Sequence, residues 1–423
     1  MRVPRPGTFP TIPSLLLCLA FIFSASRELT AQQWSQWRGE NRNGIKQRAS
    51  IPTDWSASEN IQWKTPLPGM GISSPIVWQD RIFVATAERQ RPDQLHLLCL
   101  SRRDGSVLWH RRWWGTAPTR FHSSKSSMAS PTPITDGNSV FAFFGTGDLF
   151  AVDMDGNQQW HRSLATEYGK FENRFSATSS PLIYQDMVIL QCDHYGPSYL
   201  VAIDRRSGKD IWKRDRPGKW LSWSSPQMIR IVDPAAGQTA MELIVSGSLS
   251  IEGLDPRSGS PLWTVGGMRR ECIPTPVIAN GLLYAVSGPT LAIRPGGRGD
   301  VTESHVVWEN SRGSPVVPSA IVVGDYYYLV DDDGIATCLK ADSGERVWQK
   351  RLPGAFTASP VATASHIYFT SEAGETTVIK AHQSSYEQVS RSGLDESVYA
   401  SAAITDTQLL IRTTKHLWCI AKP

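Results

Sequence analysis

The sequence predicts an all-β chain folded as an eight-bladed β-propeller of four-stranded antiparallel blades, and three observations carry that expectation. Tryptophan recurs at Trp63, Trp109, Trp160, Trp212, Trp263, Trp308 and Trp348, at intervals of 40 to 52 residues, the length of four short strands with their turns. Between them a Ser or Thr recurs before Pro, at Ser74, Thr132, Ser180, Ser225, Thr275 and Ser359, or before Ala, at Ser319 and Ser401. The composition agrees: 33 Gly, 28 Pro and 16 Trp in 423 residues break helices too often to sustain them and suit many short strands.

In chain order, residues 1–31 read as a secretory signal peptide. Arg2 and Arg5 give a positive start, and the apolar stretch from Leu15 to Phe23 is too short for a membrane anchor. Cleavage is expected near Ala31. Cys18 follows Leu15, Leu16 and Leu17 where a lipid-attachment box needs small residues, so it reads as signal core. Residues 32–58 are expected to form an arm lying on the propeller through Trp34, Trp37 and Trp55, and residues 59–423 to form the propeller itself.

Within each unit the Ser/Thr-Pro step opens an innermost strand, such as Ile76 to Trp78, Leu182 to Tyr184 or Val277 to Ala279. Proline is tolerated there because an inner edge has unpaired backbone positions. A second strand follows a polar turn, as in Arg81 to Ala85 or Met187 to Gln191. The third carries a small residue, an aliphatic one and often Asp, and then a Gly turn leads to the Trp of the fourth, as in Ala202-Ile203-Asp204 to Gly208 and Trp212. The last unit supplies only three strands, and its missing outer strand is available at Asn60 to Leu67, which would close the ring and remove its free edges.

Charge and cysteine usage exclude several functions. The formal net charge of +4 falls to +2 without residues 1–31, too little for a nucleic-acid footprint. No segment of the mature chain is apolar for long enough to cross a membrane as a helix. Cys99, Cys338 and Cys419 occupy the small-residue position of the third strand, which makes them core residues of different blades; Cys192 and Cys272 complete an odd set with no Cys-x-x-Cys.

The third-strand pattern, fullest in Ala202-Ile203-Asp204-Arg205-Arg206-Ser207-Gly208-Lys209-Asp210-Ile211-Trp212, resembles the repeat of the pyrroloquinoline-quinone-like (PQQ-like) propeller superfamily. The resemblance covers 59–423. The opening Trp34-Ser35-Gln36-Trp37-Arg38-Gly39-Glu40-Asn41-Arg42-Asn43-Gly44 is similar to an exported bacterial, notably planctomycete, branch of it. The superfamily holds quinoprotein dehydrogenases and BamB-type scaffolds of outer-membrane assembly. The enzymes' adjacent-cysteine disulfide and long insertions have no counterpart here, and no calcium loop is evident, so the resemblance implies the scaffold rather than the chemistry.

Loops entering the first strand and those joining the second to the third converge at one mouth of the central channel. That mouth gathers the binding candidates: His122 and Lys125 before Thr132; Arg174 beside Phe175; Trp220 and Trp223; Arg269 and Arg270 beside Glu271; and, after second strands, Asp193, His194, Lys415 and His416. Cations could hold an anionic group, and an indole could cover a ring-shaped ligand. The acidic Asp331 to Asp333 and the Asp153-Met154-Asp155-Gly156-Asn157 stretch read as turns rather than calcium loops, and Arg298-Gly299-Asp300 as part of a Gly-rich hairpin. No catalytic motif appears.

These readings lead to an exported, periplasmic or secreted, monomeric binding or scaffolding module for an envelope protein or polysaccharide, without cofactor or metal. The alternative is a quinoprotein-like oxidoreductase holding PQQ with calcium at the mouth and oxidising alcohols or sugars.

Overall fold

The computed structural model describes Met1 and residues 33–88, 93–117, 125–173, 175–232, 239–382 and 384–422. Within them the chain forms eight four-stranded antiparallel blades, spanning 76–114, 134–163, 182–215, 227–265, 277–310, 321–351, 361–393 and 403–421 with 61–66. The leader expected at 1–31, Met1 apart, lies outside the described residues, as do His122 and Arg174. The expected inner strands fall at Ile76–Trp78, Leu182–Tyr184 and Val277–Ala279. Blade 8 is closed from the other end of the chain: Ile61–Pro66 pairs antiparallel with His416–Ala421 as its outer strand.

The shared period of Trp and Gly has a packing cause. Trp160 of blade 2 donates its indole Nε1–H to the Arg205 carbonyl in the hairpin of blade 3, at 3.0 Å. Its ring lies against Gly208, whose φ is +73° and whose added Cβ would stand 2.9 Å from Trp160 Cδ2. Only glycine satisfies both the left-handed backbone and the close approach. The same indole-to-carbonyl link runs from Trp63 to Arg102, Trp109 to Met154, Trp212 to Pro256 and Trp308 to Ala341. Trp263 differs: it donates to Glu242 within its own blade, at 2.7 Å. Beside it Gly299–Asp300, expected in a hairpin, pairs parallel with Trp263 and Thr264 as a fifth strand on blade 4, covering that outer edge.

Apolar side chains of adjacent blades interleave to form the core. Cys99, Cys192, Cys272, Cys338 and Cys419 are all buried and unpaired, and burial pushes the thiols of Cys99, Cys272, Cys338 and Cys419 up to about 12. They pack as small hydrophobes.

Residues 33–50 cross the channel at the end where the inner strands finish. Gln33 and Trp34 pair with Trp78 and Val77 of blade 1, and the Ser35 carbonyl accepts from Thr135 N of blade 2. Trp37 Nε1 donates to Thr275 Oγ1 of blade 5 at 3.0 Å. The buried Arg38 donates to the Ala320 carbonyl of blade 6 at 2.6 Å. Ile45 bridges to Ala362 of blade 7, and Ser50 N donates to the Asp406 carbonyl of blade 8. The segment then leaves between blades 7 and 8, where Trp55 stacks on Tyr368 with centroids 6.5 Å apart. Asp406 and Thr135 lie at the ends of inner strands, so the segment closes the channel from the end opposite the mouth.

Candidate functional site

Between the mouth and this stopper lies a blind cavity of about 500 Å³. Trp37 lines it, Phe175, Trp223, Ile273 and Val317 supply apolar wall, Tyr399 adds a phenol, and Lys125 and Glu271 supply charge.

Hydroxyls of the Ser/Thr ladder form a belt around it. The backbone N–H of Ser74 donates to Thr132 Oγ1 of the next blade at 3.0 Å, Thr132 N to Ser180 Oγ at 3.0 Å, and Ser180 N to Ser225 Oγ at 2.9 Å. The series continues from Ser225 N to Thr275 Oγ1, Thr275 N to Ser319 Oγ, Ser319 N to Ser359 Oγ and Ser359 N to Ser401 Oγ. Inner strands of neighbouring blades do not pair with one another, and the hydroxyl gives the amide just before seven of these strands its acceptor. Ser74 Oγ, at the seam between blades 8 and 1, is buried without a partner. There Arg412, fully buried, donates to the Ser73 carbonyl at 3.0 Å.

The structure divides the sequence's candidates. Lys125 and Trp223 line the cavity; Lys125 Nζ pairs with Glu372 Oε1 at 2.7 Å, and Trp223 Nε1 donates to the Ser176 carbonyl at 2.8 Å. Trp220 stands on the rim, 43% exposed, with the Arg270 guanidinium 4.8 Å from its ring; Arg269 is exposed beside them.

Asp193 is buried, and its carboxylate accepts from Arg216 Nε at 2.9 Å and Gln191 Nε2 at 2.8 Å. Burial opposes the charge of Arg216, and Asp193 and Glu252 outweigh it and hold the guanidinium above its usual pKa. Through its second bond, to Glu252 at 2.8 Å, Arg216 ties blade 3 to blade 4, and neither Asp193 nor Arg216 is on the cavity lining. His194 is also buried, its Nδ1 accepting from Gly196 N at 3.1 Å, and burial lowers its pKa. His416 lies 2.9 Å from Glu396, and Lys415 is an exposed turn residue. Burial works against the Glu396 carboxylate, yet Thr413, Lys64, His416 and Trp418 hold it down at about 2.

The acidic stretches are turns. Asp331 Oδ1 accepts from Asp333 N and Ile335 N, and Asp153 Oδ1 from Asp155 N and Asn157 N. Among the described residues no group of three or more His, Cys, Asp or Glu side chains is placed to hold a metal ion.

The hydroxyl belt and the stopper went unrecognised in the sequence. The ladder itself was the signal for the belt, since a hydroxyl repeated at the same strand position in eight blades needs a reason beyond turn chemistry.

Fold and cavity together define an eight-bladed propeller of the PQQ-like type. A family profile described as outer membrane protein assembly factor BamB matches residues 53–244 and 247–416, and the chain belongs to that family. It is similar to the tetrathionate hydrolase of Acidithiobacillus ferrooxidans, 25% identical over 65% of this chain and 53% of that protein. It is also similar to the BamB of Alkalilimnicola ehrlichii, 28% identical over 34% of this chain and 33% of that one. The chain thus spans about half or less of the curated relatives it matches. Among solved structures, BamB from Moraxella catarrhalis superposes with a TM-score of 0.60 at 17% identity, covering 84% of this chain and 95% of the other. A europium-containing methanol dehydrogenase superposes at 0.56 and 11% identity, covering 91% and 90%. At those identities the likeness is one of fold.

Proposed function

We propose that this chain is an exported binding module that docks a protein partner on the rim of the mouth at blades 3 and 4. One observation carries the reading: large apolar side chains stand exposed there beside the exposed Arg269 and Arg270. Trp220 is 43% exposed, Tyr195 58% and Leu249 53%. Trp220 and Leu249 are held on one stretch of rim, with Trp220 N donating to Ser248 Oγ and Leu249 N to the Arg269 carbonyl, while Tyr195 N donates to the Glu172 carbonyl in the loop entering blade 3. Trp, Tyr and Arg are the residues in which binding energy concentrates at protein interfaces. Membership of a family described by an assembly factor supports the same reading.

The test is a photo-crosslinking side chain at Leu249 in cells of the producing organism, with the same probe at Val107, exposed at the opposite end of blade 1, as control. The expected result is a discrete adduct with one protein from position 249 alone, lost with Trp220→Ala. Identical adducts from both positions would refute it.

The alternative, a quinoprotein-like oxidoreductase, fits the described lining poorly. A tricarboxylic quinone needs cations around it, whereas Lys125 is paired with Glu372 and Glu271 adds a negative charge. His122 and Arg174 lie outside the described residues, so titration with PQQ and calcium, followed by dye-linked alcohol oxidation, is the direct check. Saturable binding with turnover would favour the oxidoreductase.

A further inference from the structure

The blind cavity is a second feature, separate from the rim patch, and its chemistry selects a ligand. Each hydroxyl of the belt from Thr132 to Ser401 accepts one backbone N–H. None of these hydroxyls donates to an acceptor among the described residues. A hydroxyl bonded in that way keeps its own proton to donate, and all but Thr275, which also receives the Trp37 indole, keep a second lone pair to accept. The belt therefore offers donors and acceptors side by side, which suits a ligand that is itself made of hydroxyls. An acceptor-only anion would use half of that capacity.

Charge points the same way. Among the described residues Lys125 and Glu271 are the charged groups on the lining, and Lys125 is neutralised by Glu372, which also accepts from Thr357 Oγ1 at 2.6 Å. The remaining charge is negative and disfavours an anion.

Aromatic and aliphatic groups complete the enclosure. The Trp37 indole is fixed by its bond to Thr275, and Trp223 meets Phe175 edge-on with centroids 5.8 Å apart. Such surfaces suit the C–H faces of a saturated ring. The volume of about 500 Å³ lies within the roughly 300–1,000 Å³ typical of small-molecule sites.

From these features we infer that the cavity binds a neutral sugar of mono- or disaccharide size, its hydroxyls on the Ser/Thr belt and its ring between Trp37 and Trp223. The stopper formed by residues 33–50 makes this a terminal site rather than a conduit: a sugar enters and leaves by the mouth.

The test titrates the full chain calorimetrically with glucose, N-acetylglucosamine, maltose and sorbitol, with citrate as the anionic comparator. At least one ring sugar is expected to bind with 1:1 stoichiometry, at a dissociation constant of about a millimolar or tighter. Tyr399→Phe, which deletes one hydroxyl from the lining, and Glu271→Gln, which exchanges a charged acceptor for a neutral amide of the same shape, should each weaken binding roughly three- to tenfold. Trp220→Ala, on the rim, should leave it unchanged, which separates this site from the proposed protein interface. No saturable binding by any of the sugars overturns the inference, and so does tighter binding of citrate than of every sugar. A sugar-soaked crystal of the parent chain gives a readout that needs no variant: density between Trp37 and Trp223 supports the assignment, and density elsewhere overturns it.

Discussion

Replacing Ser225 by Ala tests the hydroxyl belt at one link. Ser225 Oγ accepts the Ser180 amide at 2.9 Å, and both residues are buried, with exposures of 5% and 4%. Alanine leaves the Ser225 amide bonded to Thr275 but strands the Ser180 N–H. A stranded buried donor costs about 1–3 kcal/mol, and water entering from the adjoining cavity should hold the loss near the lower end. Two companion variants fix the interpretation. Ser225→Thr keeps the acceptor, as Thr132 and Thr275 do in the parent, and should cost less than about 1 kcal/mol. Ser74→Ala removes a hydroxyl that has no partner and should shift stability by no more than about 0.5 kcal/mol in either direction. A ring of this size need not unfold in a single step, so the informative assay is hydrogen exchange on peptides containing residue 180, read beside calorimetric melting. Ser225→Ala should raise exchange at Ser180 while distant blades stay protected. Equal effects of Ser74→Ala and Ser225→Ala, or unchanged exchange at Ser180, would refute the proposed role of the belt.

Other contacts make equally direct predictions. Gly208→Ala forces a Cβ into the Trp160 ring at a φ of +73°; left-handed strain and overpacking should together cost about 2–4 kcal/mol, read by denaturant unfolding. Glu396 is held at about 2, below its ordinary 4.5, so its contribution to stability is present above pH 4.5 and is lost as pH falls towards 2. Melting of a Glu396→Gln variant should therefore fall less steeply over that acid range than melting of the parent. Arg38→Ala removes the buried guanidinium that anchors the stopper to the Ala320 carbonyl and should lower the melting temperature and speed proteolysis within 33–50; an unchanged cleavage pattern would show that the segment is held without it.

The propeller was legible because its signals repeat. Trp and Gly recur with the blade, since the indole of one blade rests on the hairpin of the next, and the closing strand could be found by counting the strands of the last unit. The site was less legible. The sequence brought Lys125, Trp220, Trp223, Arg269 and Arg270 to the mouth, but it could not distinguish Asp193, held inside by Arg216, from a residue facing a ligand. Both kinds of residue stand in loops of the same mouth, and burial of a carboxylate depends on a cation 23 residues further along, in the next entry loop. Glu372, which neutralises Lys125, is 247 residues away in sequence.

The sequence by itself determined the number of blades, the order of strands and the closure of the ring, because each is written in a local period that survives without knowledge of the rest. The tertiary structure alone decided that the channel is a blind cup and that its wall is a belt of hydroxyls. Those properties arise where the first strands of eight blades meet around one axis, and where a single non-repeating segment at 33–50 reaches six of them. A contact made once, between residues hundreds apart, leaves no period to read.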